Sequence, residues 1–123
     1  MPKLDDVKIV IDNLHKKIPT IIGSGVIRMN GLVIESNFSR DINERMVGAM
    51  SAALLGTSKR TAESLFKGNF VSLVLALDKG NMFLMSCGKV ILVVITEPNP
   101  NMGLITLEME DVGVRLQNLF QVS

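Results

Sequence analysis

Apolar side chains near the start of the chain recur at alternating spacings of three and four residues. Leu4, Val7, Ile11, Leu14 and Ile18 follow this pattern, which places one apolar stripe along an α-helix. The residues that favour helix ends agree with this assignment: a proline and two aspartates lie at the start, and two lysines and a second proline lie at the end, namely Pro2, Asp5, Asp6, Lys16, Lys17 and Pro19.

Two β-prone runs follow, at residues 26–29 and 32–34, separated by Asn30-Gly31. An Asn-Gly pair readily supplies the positive φ angles of a two-residue turn. The pattern therefore predicts a β-hairpin.

A second helix is predicted from Glu44 to Leu65, in a proline-free stretch. Asp41 and Glu44 are three residues apart, the spacing of a capping box. The positions expected to form its apolar stripe are Ile42, Met46, Met50, Leu54 and Leu65. Small residues at four-residue spacing, Gly48, Ala52 and Gly56, form a second stripe. Gly56 lowers helix stability by about 1 kcal/mol relative to alanine, so a kink or break there is an open alternative.

Three strands and a third helix complete the pattern. The strands are predicted at Phe70–Leu77, Met82–Cys87 and Val90–Thr96, and the short turns between them require antiparallel neighbours. The unbroken apolar character of the last strand indicates burial on both faces. Asn99 is the expected cap of the third helix, with Pro100 at its first position, and the helix stripe comprises Met102, Ile105, Met109, Val112, Leu116 and Leu119.

The element order αββαβββα predicts an α+β fold in one domain spanning residues 1–123. A five-stranded antiparallel sheet with a doubly buried strand needs cover on both faces. The first and third helices each carry one apolar stripe and can share a face. The second helix is left for the other face, which gives a three-layer α/β/α sandwich.

Composition and charge narrow the classes of function. The 13 basic and 12 acidic side chains nearly cancel, and the chain has no Tyr or Trp. A nucleic-acid partner is therefore not expected, because phosphate contacts require a basic surface. One cysteine, no signal-peptide core and no apolar run long enough to cross a bilayer lead us to expect a cytoplasmic protein without direct membrane insertion or a lipid anchor.

The residues that could carry chemistry are few. His15 is the single histidine and is expected near solvent, with no second ligand for a metal. Cys87 precedes Gly88-Lys89, and its alternatives are an activated thiol or, more simply, a small residue that ends a strand. The glycine-containing segments 23–25 and 56–59 lack nucleotide-binding spacing. We therefore expect no catalytic residue, no cofactor and no metal.

Two features favour self-association. The small-residue stripe of the second helix would admit another helix, and the strand Phe70–Leu77 would present an apolar, uncharged edge that monomers normally avoid. The predicted dimer interface comprises Gly48, Ala49, Ala52, Gly56, Phe70, Val71, Leu73 and Leu75. The alternative is that the small residues only admit the sheet or a loop of the same chain.

Polar and methionine side chains of the second helix are candidates for a partner-binding site: Arg45, Met46, Met50, Lys59, Arg60 and Glu63. Methionine is adaptable and is often used at binding surfaces. The alternative is an ordinary solvated helix face.

The sequence resembles the roadblock/dynein light-chain family. The segments that carry the resemblance are GSGVIRMNGLVIES, ERMVGAMSAALLG, FVSLVLALDKGNMFLMSCGKVILVVIT and NMGLITLEMEDVGVRLQNLF. The resemblance implies a profilin-like αββαβββα sandwich that dimerises through its third strand and second helix. It also implies binding of small Ras-like GTPases or membership of motor and scaffold complexes, and it brings no catalytic residues.

Three hypotheses follow. The first is a homodimer that regulates or scaffolds a small Ras-like GTPase, either by repositioning its switch loops or by inserting an arginine, Arg45 or Arg60. The second is a subunit of a heteromeric motor or signalling scaffold, paired with another roadblock-type chain. The third is a small-ligand sensor, which the apolar interior disfavours.

Overall fold

The computed structural model describes residues 4–121. In chain order the elements are α1 (Leu4–Lys17), β1 (Ile21–Arg28), β2 (Val33–Phe38), α2 (Glu44–Phe66), β3 (Ser72–Leu77), β4 (Gly80–Cys87), β5 (Val90–Thr96) and α3 (Met102–Leu119). The predicted order αββαβββα is confirmed. Pro2, predicted in the first turn of α1, lies outside the described residues.

The five strands form one antiparallel sheet in the order β2-β1-β5-β4-β3. Strand β5 is central: Leu92 pairs with Val26 of β1 on one side and with Met85 of β4 on the other. Side chains of β5 are buried on both faces, as its apolar run predicts. The two edge strands are β2 and β3.

Helices α1 and α3 lie side by side on one face of the sheet, and α2 lies on the other. The predicted three-layer α/β/α arrangement is confirmed. The core between the sheet and the pair α1 and α3 contains most of the buried apolar side chains. The core under α2 is smaller, because α2 packs chiefly on β1 and β2.

The turn between β1 and β2 differs from the prediction. The hairpin is present, but four residues, 29–32, connect the strands, and only Gly31 has a positive φ, of 95°. A two-residue turn of the predicted kind needs positive φ at both central positions. The pairing of β1 with β2 also shifts register between Val26 and Ile27, so the residues next to the turn are not paired in the register of the rest of the hairpin.

The caps of the second and third helices also differ. Asn43, not Asp41, caps α2, since its side-chain oxygen accepts a hydrogen bond from Met46 N at 3.1 Å. The Glu44 carboxylate accepts instead from the Ser36 hydroxyl at 2.6 Å.

Asn101, not Asn99, caps α3. Its side-chain oxygen accepts from Leu104 N at 3.1 Å. Asn99 has a φ of 57°, whereas a capping residue needs an extended backbone. Pro100 therefore precedes the helix instead of opening it.

Helix α2 continues through Gly56 without a break. Strand β3 begins at Ser72 instead of Phe70, and β4 begins at Gly80 instead of Met82.

Candidate protein-interaction surface

The buried stripe of helix α2 does not follow the apolar positions that the sequence marks. Its buried residues are Val47, Gly48, Ser51 and Leu55. Met46, Met50 and Leu65, which are among the marked apolar positions, are 52%, 53% and 68% exposed. A glycine and a serine occupy half of the stripe that faces the sheet, so hydrophobicity along the sequence does not identify that stripe.

The second half of α2 has no core of its own. No α2 residue after Leu55 is buried within the described chain. The helix ends with Leu65 and Phe66, and the Phe66 side chain is 79% exposed. Helices in proteins owe most of their stability to a buried apolar face. The exposed apolar residues of this half therefore indicate that a packing partner from outside the single chain is missing.

Strand β3, at the edge of the sheet, follows this uncovered segment in the chain after a connection of five residues, 67–71. Leu73 and Leu75 pair with residues of β4 whose side chains pack on the α2 side of the sheet. Because side chains alternate along a strand, Val71 and Leu77 project to the same side, and they are 70% and 60% exposed. We call the apolar side chains of this region the β3 surface: Leu65, Phe66, Val71, Leu73, Leu75 and Leu77.

The residues predicted for a dimer interface are distributed unevenly. Gly48 is buried within the chain, where a β-carbon would collide with the carbonyl oxygen of Gly31. Its small size is thus explained by the β1–β2 turn, as the alternative interpretation holds. Gly56 faces open space, since the nearest atom to a β-carbon there would be the Arg60 guanidinium at 4.0 Å. Ala49 is exposed and Ala52 is half-exposed.

Among the strand residues predicted for the same interface, Phe70 is half-buried against the core under α2, and Leu73 packs partly on the same core. Val71 and Leu75 retain exposed surface on the β3 surface. The predicted interface missed Leu65, Phe66 and Leu77. Leu65 and Leu77 are the last residues of the predicted helix and strand, and Phe66 follows that helix, so no repeating pattern in the sequence assigned them to one surface.

The predicted partner-binding side chains are all exposed, but they do not form one cluster. Arg45, Lys59, Arg60 and Glu63 are exposed, as are both methionines. With about 3.6 residues per turn, Met46 and Met50 project from one flank of α2, and Arg45 and Glu63 project from the other. A partner would therefore meet either the methionine flank or the charged flank first.

His15 lies deeper than predicted. It is half-buried, and its Nε2 atom lies 2.7 Å from the hydroxyl of the fully buried Ser24. Burial lowers the pKa of His15, and the nearby Asp12 carboxylate partly offsets that effect. The hydrogen bond attaches α1 to β1, which is a structural role.

Cys87 is buried at the end of β4, and burial raises the pKa of its thiol to about 11. A thiol with this pKa is protonated at neutral pH and is a poor nucleophile. The alternative of an activated thiol is therefore contradicted, and Cys87 is a small residue packed under Gly113 of α3.

Within residues 4–121, no three His, Cys, Asp or Glu side chains are grouped as a metal site would require. None of the helices in this part of the chain is long and apolar enough to cross a membrane.

Comparison with known proteins identifies the family of this chain. The family model for the Roadblock/LC7 domain matches residues 10–96. The chain belongs to the Roadblock/LC7 domain family. A curated relative, the uncharacterized protein MJ1340 of Methanocaldococcus jannaschii, is 32% identical over 100 residues, which cover 81% of this chain and 88% of the relative.

Two solved structures share the fold. Myxococcus xanthus MglB superimposes with a TM-score of 0.89 at 20% identity, over 96% of this chain and 90% of that one. A Roadblock/LC7 domain from Streptomyces avermitilis gives a TM-score of 0.83 at 16% identity, over 90% of this chain and 94% of that one. The expected roadblock fold is thus confirmed.

Proposed function

We propose that this roadblock-type protein is a homodimer that binds a small Ras-like GTPase and regulates or scaffolds it. Membership of the Roadblock/LC7 family supports a GTPase-related role. The observation that carries the proposal is the β3 surface, in which an uncovered half-helix is followed closely in the chain by a free, apolar sheet edge.

A second copy of the chain fits this surface. Antiparallel pairing of β3 with the β3 of its mate would satisfy the unpaired backbone groups of both edges. A two-fold axis at that edge would place the second half of each α2 over the α2 side of the partner strand. Leu65 and Phe66 would then gain the cover that they lack within one chain.

This arrangement leaves the flank of α2 that carries Met46 and Met50 available to the GTPase. Leu32 is also exposed, on the turn that packs against Gly48. Exposed apolar side chains on a rigid helix are typical of interface anchors.

Stimulation of GTP hydrolysis would come either from an arginine that this protein inserts into the GTPase active site or from repositioning of the GTPase switch loops. Arg45 and Arg60 are 15 positions apart, which corresponds to about 22 Å along the helix, so only one of them can reach a given GTPase active site. If an inserted arginine is required, its replacement by lysine removes most of the stimulation. If the protein repositions the switch loops, both lysine variants retain the stimulation.

The test measures mass in solution by light scattering, with and without the small Ras-like GTPases of the source organism loaded with GDP or a GTP analogue. We expect a dimer that binds one nucleotide state more tightly. A strict monomer that binds no GTPase in either state would refute the proposal.

A variant pair locates the GTPase surface. Met50→Glu should weaken GTPase binding about tenfold or more, as expected for an interface anchor, and leave the dimer mass unchanged. Leu107→Glu, at an exposed apolar position of α3, is the matched control. Equal binding by both variants would place the GTPase elsewhere.

A further inference from the structure

A groove of about 770 Å³ runs along the sheet edge opposite β3. Its walls are α1 on one side and the segment 39–44, which leads into α2, on the other. Its floor is β2 at residues 36–38. We call it the β2 groove.

The β2 groove straddles the edge of the sheet. Asn37 faces α1, where its amide donates to an Asp12 carboxylate oxygen at 3.2 Å. Ser36 faces the other way and donates its hydroxyl to Glu44. Since neighbouring side chains of a strand point to opposite faces, the space between the two walls lies alongside the strand itself.

The backbone of β2 turns hydrogen-bonding groups toward this space, where Ser36 N makes only a long contact, of 3.4 Å, with the carboxylate of its neighbour Glu35. Ser39 N donates to Ile22 O, and Asn37 pairs with Ser24 in the same alternating pattern. In an antiparallel ladder the intervening residues turn their N–H and C=O groups away from the partner strand. For β2 these residues are Ser36 and Phe38, and their outer side is the groove.

The side chains that line the groove include more basic than acidic groups. Lys8, Lys16 and Arg40 line it together with two carboxylates, Asp12 and Glu44. Asp12 accepts from Asn37 and lies 3.8 Å from the Lys8 ammonium group, and Glu44 accepts from Ser36. Across residues 4–121, neither Lys16 nor Arg40 lies within salt-bridge distance of a carboxylate.

Those two unpaired cations decide between the possible occupants. A second copy pairing through β2 would bring the cations of both copies to one edge, which disfavours self-association there. A strand that carries carboxylates would pair with them instead.

We propose that the β2 groove binds an acidic, extended peptide segment of a partner protein by β-strand addition. The peptide backbone pairs with Ser36 and Phe38, and its acidic side chains approach Lys16 and Arg40. This site lies at the opposite edge from the β3 surface, so it is separate from the proposed dimer contact.

The test uses fluorescence anisotropy with the full chain and a labelled, end-capped eight-residue peptide of alternating glutamate and valine. Three further probes are used: the same peptide with lysine in place of glutamate, and the glutamate peptide N-methylated on the backbone at alternate positions in each of the two possible registers. We expect binding of the first probe, with the lysine probe weaker by about tenfold or more. Because N-methylation removes the donors needed for strand pairing, at least one of its two registers should abolish binding.

Charge-reversal variants place the site. Lys16→Glu combined with Arg40→Glu should weaken binding of the glutamate peptide about tenfold or more. The control is Lys79→Glu combined with Lys89→Glu, which makes the same change of charge at exposed turn positions. Far-ultraviolet circular dichroism establishes that all variants are folded.

Four results would overturn the proposal: no binding of the glutamate peptide, equal binding of the lysine peptide, full binding by both N-methylated registers, or equal loss in the control variant. Hydrogen exchange gives an independent readout. The amides of Ser36 and Phe38 should become protected when the glutamate peptide is bound.

Discussion

At the scale of single residues, one pair of glycines sets how closely α2 approaches the sheet. Gly31 has a positive φ in the β1–β2 turn, and its carbonyl oxygen occupies the space where Gly48 would carry a β-carbon. The contact joins backbone to backbone, so no side chain can rotate to relieve a larger residue. The small size of Gly48 is a packing requirement of the chain itself.

Gly48→Ala should therefore lower the free energy of unfolding by about 1–3 kcal/mol, the usual cost of overpacking. Gly103→Ala is the matched control, because the nearest atom to the new β-carbon is Asn101 Oδ1 at 3.6 Å. Alanine is the better helix former, so the control should be neutral or more stable by up to about 1 kcal/mol. Urea unfolding of both variants measures the difference, and equal stabilities would contradict this account of Gly48.

His15 gives a prediction about pH. Its pKa is lowered in the folded chain, chiefly by burial, so the unfolded chain binds more protons as the pH falls below 6.5. The stability that neutral His15 contributes is present above that pH and is lost as pH falls through the lowered folded pKa. His15→Gln keeps a polar group near Ser24 and cannot titrate.

We therefore expect the free energy of unfolding to fall less for His15→Gln than for the native chain between about pH 7.5 and about pH 5. Carboxylates titrate in both proteins and largely cancel in the comparison. Identical pH slopes in urea titrations would show that the His15 environment does not favour the neutral ring.

At the scale of the elements, sequence patterning was sufficient for the order of helices and strands but not for the orientation of α2. The stripes of α1 and α3 each contain one continuous set of large apolar residues, so their buried faces could be predicted, except that Leu4 and Met102 at their first positions are exposed. Helix α2 has apolar residues on several sides, and its buried stripe includes Gly48 and Ser51. Only the presence of the β1–β2 turn beneath the helix selects that stripe.

The caps and the candidate sites show the same limit. Both N-caps lie two residues beyond the positions predicted. The backbone conformation of Asn99 and the hydrogen bond from Ser36 to Glu44 depend on how other segments of the same chain pack around them. The β3 surface was predicted in part, since an uncharged apolar strand is visible in sequence. The β2 groove was not, because its walls come from segments that become neighbours only in the sheet order.

At the scale of the whole molecule, the two edges of the sheet have different chemistry. Strand β3 has no charged residue, and its α2 side is apolar and partly uncovered. The edge at β2 is enclosed by two walls that carry charge. One molecule thus offers a self-complementary apolar edge and a separate polar one, which would let an assembled dimer hold further partners at its two ends.

The dimer is tested at the β3 surface itself. Leu73→Lys places a charge on the α2 side of β3, and Ala52→Glu places one on α2. Near a two-fold axis each charge would face its own copy, which is costly in an apolar contact. We expect each substitution to raise the dimer dissociation constant about tenfold or more, as for loss of an interface anchor, or to cause aggregation.

Sedimentation equilibrium over a range of protein concentrations gives those dissociation constants, and circular dichroism shows whether each variant is folded. Leu107→Lys is the matched control, because Leu107 is 62% exposed on α3, on the face of the sheet opposite α2. Its dissociation constant should equal that of the native chain. If Leu73→Lys and Ala52→Glu also match the native chain, the two copies do not meet through β3 and α2, and the apolar β3 surface must serve a different protein partner.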